Sequence, residues 1–278
     1  MPAIKKILFP VDFSNQSLGA ARYVEAFAGR FDAEVMLLHV VGNGERTLAQ
    51  ELQSQRKAEL EAFLIDELKY FNTERVCVLG DAAEKIVEVA HDWQPDLVMM
   101  PTHGLGFYRR LLLGSVTAKV LHDLECPVWT DVHAEDAPTL EKITVRRVVC
   151  AIDLGSESAC LLRWGAFFAN EYKAELSIVH AMPTVEAAAQ AHFLDQEFIA
   201  AITAEAQKRI TALQSSVGTK GEVFIEAGEP AKATAKVADQ LGADLVLIGR
   251  HGGAGLAGHL RQNAYAILRD SPCPVISV

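Results

Sequence analysis

The chain has 278 residues, of which 50% are hydrophobic and 22% charged, an ordinary balance for a globular protein. Its net charge of −10 argues against nucleic acid or an anionic membrane as main partner, since both require clustered lysine and arginine. No uncharged apolar stretch approaches the ~18 residues of a membrane span. The start, MPAIKKILFPVDFS, has too short an apolar run for a signal peptide. We expect a cytoplasmic protein.

Along the first half, short apolar runs alternate with stretches of helical periodicity. The predicted strands are 5–12, 33–40, 75–79, 96–101 and 127–131, and the predicted helices are 16–31, 45–68, 82–93 and 115–124. Nearly continuous apolar strands separated by helices are typical of a parallel sheet covered on both faces.

The second half repeats this pattern. ILFPVDFS aligns with VVCAIDLGS so that Asp12 meets Asp153, and His39 meets His180, at the same offset of 141 residues. GDAAEKIVEVAHDWQPDLVMMPTHG aligns with GEPAKATAKVADQLGADLVLIGRHG at an offset of 148. We infer a tandem duplication with domains at 1–132 and 144–278 and a linker at 133–143. Each domain is predicted to be an α/β, doubly wound, five-stranded parallel sheet.

Ligands of such sheets bind at the carboxyl ends of the strands, where the strand order reverses. Asp12 and Asp153 follow the first strand of each half, either as ligand-binding groups or as caps of the next helix, with Ser14 and Ser156 as rival caps. His39 within the second strand favours a hydrogen-bonded core histidine. No histidine spacing indicates a metal site.

Three features resemble the universal stress protein family in its tandem form. They are the strand-1 aspartate, the histidine near the end of strand 2, and a strand-4 loop that leads through LLLGSVTAKVL into a Cys-Pro-Val strand. The resemblance implies a nucleotide-binding fold of the adenine nucleotide alpha hydrolase type. It also implies that the halves pack as a pseudo-dimer through their last strands.

In ATP-binding members the strand-4 loop reads G-x-x-G-x9-G-S/T and holds the phosphates, while strands 1 and 2 hold adenine and ribose. The first half has Pro101 in place of the first glycine and keeps Gly104 and the Gly114-Ser115 pair. Ser115 is also predicted to cap the following helix. The nucleotide site implied by the resemblance comprises Pro10, Val11, Asp12, Val40, Met100, His103, Gly104, Gly114, Ser115, Val116 and Thr117.

The second half keeps the first two glycines but replaces the final Gly-Ser pair by Gln262-Asn263. A side chain at Gln262 is expected to stand where a phosphate needs open backbone. Asn263 is predicted to cap the helix and to donate its amide to an anion. The weaker site implied here comprises Ala151, Ile152, Asp153, Ala181, Ile248, Gly249, Gly252, Gln262 and Asn263.

No Walker lysine follows either glycine loop, and no nucleophile with its base is visible. We therefore expect a stress-response sensor that binds ATP, with or without Mg²⁺, chiefly in the first half, and hydrolyses it slowly if at all. A homodimer is expected. The alternatives are a nucleotide-free scaffold that acts through protein contacts or another small ligand, and a weak ATPase.

Overall fold

The protein is described as a computed structural model that covers residues 2–42, 46–103, 113–182, 196–250 and 257–278. In the helical stretches 46–50, 196–198 and 257–262 the description is limited to the backbone. The chain divides into two units, Ala3–Ile143 and Thr144–Val278, which we call domain 1 and domain 2.

Domain 1 alternates strands with helices in the predicted order. Its elements are β1 (Lys6–Pro10), α1 (Asn15–Phe31), β2 (Glu34–Val41), α2 (Arg46–Ala62), β3 (Thr73–Leu79), α3 (Ala82–Trp93), β4 (Leu97–Met99), α4 (Ser115–Asp123) and β5 (Val128–Thr130). The strands pair in parallel in the order β3-β2-β1-β4-β5.

Domain 2 repeats this arrangement. Its elements are β6 (Arg147–Ala151), α5 (Ser158–Tyr172), β7 (Glu175–Met182), α6 (Gln196–Val217), β8 (Glu222–Ala227), α7 (Pro230–Leu241), β9 (Leu245–Ile248), α8 (Ala257–Asp270) and β10 (Val275–Ser277). The parallel order is β8-β7-β6-β9-β10. The predicted α/β fold with two five-stranded, doubly wound parallel sheets is thus confirmed.

The first strand of each domain lies in the middle of its sheet. In β1, Ile7, Leu8 and Phe9 are all 0% exposed although alternate side chains point to opposite faces, so helices cover both faces. From β1 the chain proceeds through β2 to β3 and then returns to β4 on the other side of β1. This reversal opens a crevice at the carboxyl ends of β1 and β4.

Helix α2 is shorter than the predicted 45–68. It ends at Ala62, and Leu64 adopts the left-handed conformation with φ of 55°. Arg75 of β3 donates from Nε to the Leu60 carbonyl at 3.0 Å and from Nη2 to the Phe63 carbonyl at 3.1 Å. The guanidinium therefore binds one carbonyl in the last turn of α2 and one just after the helix end, and this tertiary contact overrides the longer helical periodicity.

Residues 133–143, predicted to be a linker, pack on domain 1. They form two 3₁₀ helices, Ala134–Asp136 and Leu140–Lys142, and Ala134 is 0% exposed. A Cβ at Gly19 of α1 would collide with the carbonyl oxygen of Ala134, so this close approach requires glycine. Arg22 of α1 donates to the carbonyl of Ala137.

Within the described residues, none of the helices combines the length and the apolarity that a bilayer crossing would demand.

Candidate functional site

The turn after β1 holds Asp12 in one orientation. Oδ1 of Asp12 accepts hydrogen bonds from the Ser14 backbone N–H at 3.0 Å, from the Ser14 hydroxyl at 2.5 Å and from the Ser17 hydroxyl at 2.7 Å. The N-cap of α1 is Ser14, whose Oγ accepts from the Ser17 N–H at 3.2 Å. Asp12 is therefore not the cap, and its carboxylate is fixed beside the helix start by the capping serines.

Domain 2 has a looser version of this turn. Oδ1 of Asp153 accepts from the Gly155 N–H at 2.8 Å and from the Ser158 hydroxyl at 3.1 Å. The N-cap of α5 is Glu157, which makes no side-chain capping bond, so of the two alternatives for Asp153 the structure excludes the cap, and Ser156 is not the cap either. Asp153 is exposed, whereas Asp12 is half-buried.

Both aspartates precede a strained residue. Phe13 has φ of 62° and Leu154 has φ of 60°, a left-handed conformation that bulky side chains rarely adopt. Such residues cost of the order of 1–3 kcal/mol and concentrate at ligand sites. In domain 1 the Phe13 ring packs on His39, with ring centroids 4.5 Å apart, and on Phe63 at 5.1 Å.

The strand-2 histidines are hydrogen-bonded as predicted for core residues. Nδ1 of His39 donates to the Val11 carbonyl at 2.8 Å, and Nδ1 of His180 donates to the Ile152 carbonyl at 2.9 Å. Each bond ties the end of the second strand to the end of the first. His39 also lines the cavity described below, which the sequence did not indicate.

The start of α4 faces the same edge of the sheet. The N-cap is Gly114, without a side-chain capping bond, and its N–H donates to the Thr102 carbonyl at 2.8 Å. A Cβ at Gly114 would lie 3.0 Å from that carbonyl oxygen, which is tight. The expectation that Ser115 caps this helix is wrong, because Ser115 is its first residue. First-turn N–H groups have no partner within a helix and attract anions.

These segments enclose a cavity of about 530 Å³ in domain 1. Ligand pockets of about 300–1,000 Å³ hold small molecules and cofactors. Every described member of the predicted site lines it: Pro10, Val11, Asp12, Val40, Met100, His103, Gly114, Ser115, Val116 and Thr117. Gly104 lies outside the described residues.

The corresponding cavity of domain 2 measures about 100 Å³. Of the predicted residues it is lined by Ala151, Ile152, Asp153, Ala181, Ile248, Gly249 and Asn263. Gly252 and the side chain of Gln262 lie outside the description. The space is below the size of an ordinary small-molecule pocket.

The start of α8 explains part of this difference. The helix begins at Ala257, so Asn263, the counterpart of Ser115, lies inside it. The prediction that Asn263 caps the helix is wrong, because its N–H is used by the helical hydrogen-bond ladder. Glycine is disfavoured within a helix by about 1 kcal/mol, and Gln262 lacks that penalty, so the helix continues in the N-terminal direction past this position.

The lining also includes residues that the sequence motifs did not indicate. Ala82 and Ile86 of α3 face the domain 1 cavity, and Pro230 and Thr234 of α7 face that of domain 2. The repeated Gly-acid pair before each of these helices, at 80–81 and 228–229, was the available signal.

Among the described residues, no three His, Cys, Asp or Glu side chains are grouped so as to hold a metal ion. All five cysteines are free thiols. Cys273 is buried, whereas Cys126 is half-buried. Complete burial raises the pKa of the Cys150 thiol to about 12, so this thiol stays protonated at neutral pH.

The pattern that defines the universal stress protein family matches the chain twice, over residues 3–131 and 144–278. This chain belongs to the universal stress protein family. The universal stress protein MJ0577 of Methanocaldococcus jannaschii is 29% identical over 149 residues, which cover 45% of this chain and 92% of that protein. MJ0531 of the same organism is 33% identical over 139 residues, which cover 45% and 79%. Each relative therefore matches about one domain.

A solved structure with both domains shows the same fold. The universal stress protein from Archaeoglobus fulgidus superposes with a TM-score of 0.75, covering 98% of this chain and 97% of its own. The two sequences are 21% identical, so the likeness is one of fold.

Proposed function

We propose that this universal stress protein binds an adenine nucleotide, ATP, in the domain 1 cavity and acts as a nucleotide-dependent sensor. The observation that carries the proposal is the cavity itself. Its 530 Å³ are bounded by the β1 turn, the end of β2 and the start of α4. These are the three segments that hold nucleotide in ATP-binding members of the family.

The two ends of the cavity differ in chemistry. At one end the anchored carboxylate of Asp12 can accept hydrogen bonds from ribose hydroxyls, and the backbone at Val40 can pair with a base edge. At the other end the N–H groups of Ser115, Val116 and Thr117 supply donors and the positive end of the α4 dipole for phosphates. The Ser115 hydroxyl adds a further donor.

Domain 2 supports the proposal as an internal contrast. It retains the strand-1 aspartate and the strand-2 end, but α8 extends across the position at which α4 begins. We therefore propose that domain 2 does not bind ATP and instead maintains the fold or contacts a partner.

The titratable groups described in the domain 1 cavity fit nucleotide sensing better than ATP hydrolysis. The titratable side chains among the described lining residues of the domain 1 cavity are Asp12, His39 and His103. The first two are held by hydrogen bonds to neighbouring serines or to backbone. A Mg²⁺ that enters with ATP would be coordinated mainly by phosphate and water. Occupancy would then bias partner binding or homodimer formation.

Direct titration of ATP tests the proposal. We expect ATP to bind the wild type, with weaker binding to Ser115→Ala and Asp12→Ala. The matched substitutions Asn263→Ala and Asp153→Ala in domain 2 should leave the affinity unchanged. Mass spectrometry of ligand released from purified protein would identify a co-purifying nucleotide. Absent binding, or equal weak binding by all variants, would favour the nucleotide-free scaffold.

A further inference from the structure

Domain 2 has a second cavity at the opposite edge of its sheet. It is formed at the amino ends of β6, β7 and β8, beside the loop that joins α6 to β8, and measures about 690 Å³. Small-molecule sites span about 300–1,000 Å³. The smaller cavity described above lies at the carboxyl ends of the strands, and the two share none of their described lining residues.

The repeat explains why space opens here in domain 2. In β2 the buried Met36 pairs with Glu74 of the edge strand. In β7 the matching residue is Ser177, which pairs with Glu222 at the same register. A serine thus replaces a methionine at the start of the second strand, and the volume of the longer side chain is lost.

Three further replacements remove bulk from the same place. At the end of α7, Leu241 stands where domain 1 has Trp93, whose ring lies 5.1 Å from Nζ of Lys6. In the loop before β8, residues 218–219 are Gly-Thr where residues 70–71 are Tyr-Phe. Large side chains of domain 1 are therefore small in domain 2, and the cavity follows from their loss.

The side of the cavity next to α5 is apolar. Ala166, Ala169 and Ala174 line it and are half-buried. At the corresponding end of α1, ring atoms of Phe71 lie 3.7 Å from the position of a Cβ on Gly29. Domain 1 therefore places an aromatic ring of its own chain where domain 2 leaves an alanine surface open.

The other side of the cavity is polar and centres on Ser177. This serine is 7% exposed, and its hydroxyl has no hydrogen-bond partner among the described residues. Glu175, two residues earlier, and Glu222, opposite on β8, project from the same face of the sheet. Buried polar groups are nearly always hydrogen-bonded, so the free hydroxyl beside two carboxylates indicates a place for a ligand donor.

The charges of the described lining residues cancel. Arg147 and Lys220 are basic, and Glu175 and Glu222 are acidic. Arg147 is already engaged, since Nη1 donates to the Gly242 carbonyl at 3.3 Å and Nε lies 4.0 Å from Glu175. Lys220 and Glu222 form no ion pair with any described residue. One cation and one anion are thus available to a ligand that carries both signs.

We propose that this cavity binds a free amino acid with an aromatic side chain. The ligand ammonium donates to Glu222 and to the Ser177 hydroxyl, the carboxylate pairs with Lys220, and the ring lies on the alanines. A zwitterion matches the balanced charges, whereas a polyanion such as ATP does not. The site is separate from the domain 1 cavity, so this inference does not depend on ATP binding.

Titration of the full chain with L-phenylalanine, followed by calorimetry or equilibrium dialysis, tests the proposal. Phenethylamine lacks the carboxylate, and 3-phenylpropionate lacks the ammonium group. Each should bind about tenfold more weakly than L-phenylalanine, because one charge-assisted hydrogen bond is lost. Equal affinity for the three compounds, or no binding of L-phenylalanine to folded wild type up to about 1 mM, would overturn the proposal.

Variants locate the binding in this cavity. Ser177→Met and Thr219→Phe restore the domain 1 side chains and fill the space, so each should weaken binding of L-phenylalanine at least about tenfold. Glu222→Gln should have a similar effect, whereas the matched variant Glu74→Gln in domain 1 should behave as wild type. Thermal unfolding shows that each variant is folded. Wild-type affinity in the folded filled variants would place the ligand elsewhere and contradict the assignment.

Discussion

The corresponding sheet edges of the two domains repeat one sequence pattern but enclose cavities of different size. In domain 1 the cavity measures about 530 Å³ and α4 starts at Ser115, facing it. In domain 2 the cavity measures about 100 Å³. Helix α8 starts at Ala257, six residues before Asn263, the counterpart of Ser115. One Gly-Ser pair exchanged for Gln-Asn accompanies this change. The larger cavity thus goes with the later helix start.

The largest loss of ATP affinity is expected when the Gln-Asn pair of domain 2 is transferred into domain 1. Gly114→Gln with Ser115→Asn should weaken ATP binding by about a hundredfold, or about 2.7 kcal/mol. The new Cβ crowds the Thr102 carbonyl, and the helix loses its exposed start. Calorimetric titration measures the change. The reverse pair, Gln262→Gly with Asn263→Ser, should leave the affinity of domain 1 intact, and equal losses in both would contradict the account.

The second contrast concerns the segment after β5. Residues 134–136 rest on Gly19 in domain 1, whereas Cys160 stands at the matching position of domain 2. Gly19→Ala should lower the free energy of unfolding by about 2 kcal/mol, because the methyl meets the Ala134 carbonyl. Gly29→Ala, in the same helix, meets only ordinary contacts at 3.7 Å and should stabilise by up to about 1 kcal/mol. Urea unfolding measures the free energy of unfolding of both variants. Similar changes for Gly19→Ala and Gly29→Ala would refute the packing role of Gly19.

Much of the fold was predictable because the same sequence pattern of strands and helices occurs twice in the chain. The shared offsets near Asp12 and Asp153 located the β1 and β6 ends, and the apolar runs between helices required parallel strands. The start of α8 was not predictable from the motif, because Asn263 is a good cap by itself. Asn263 lies inside the helix because the residues before it continue the helical hydrogen-bond pattern. Likewise, the packing of 133–143 depends on a tertiary contact at Gly19 that composition does not reveal.

A smaller effect is expected at the β1 turn. Asp12→Ala removes the acceptor that orders Ser14 and Ser17, and we expect ATP to bind about tenfold more weakly, or about 1.4 kcal/mol. Asp153→Ala should change the affinity less than about twofold, since domain 2 is proposed not to hold ATP. Parallel titrations compare the two. A larger loss from Asp153→Ala would move the site to domain 2.

The smallest expected effect is on the pH dependence of the free energy of unfolding. Domain 1 has Asp131 at the end of its last strand, where domain 2 has Val278, and burial raises the pKa of Asp131 above its ordinary value. A raised carboxyl pKa favours the folded state at low pH, and this contribution is lost as the pH rises through the folded value. Asp131→Asn should therefore stabilise the protein at neutral pH by about 1 kcal/mol or less.

Thermal unfolding over a series of pH values tests this sign. The advantage of Asp131→Asn should shrink as the pH falls through the raised folded-state pKa of Asp131 and be gone below the ordinary carboxyl range, where the wild-type group is protonated in both states. A variant that is less stable than wild type at neutral pH would show that the charged carboxylate is needed.

The number of ATP molecules bound per chain tests the central claim most directly. Equilibrium dialysis with labelled ATP at saturating concentration should give one nucleotide per chain for the wild type. Two per chain would show that domain 2 binds ATP despite the position of α8, and none would show that the domain 1 cavity serves another ligand.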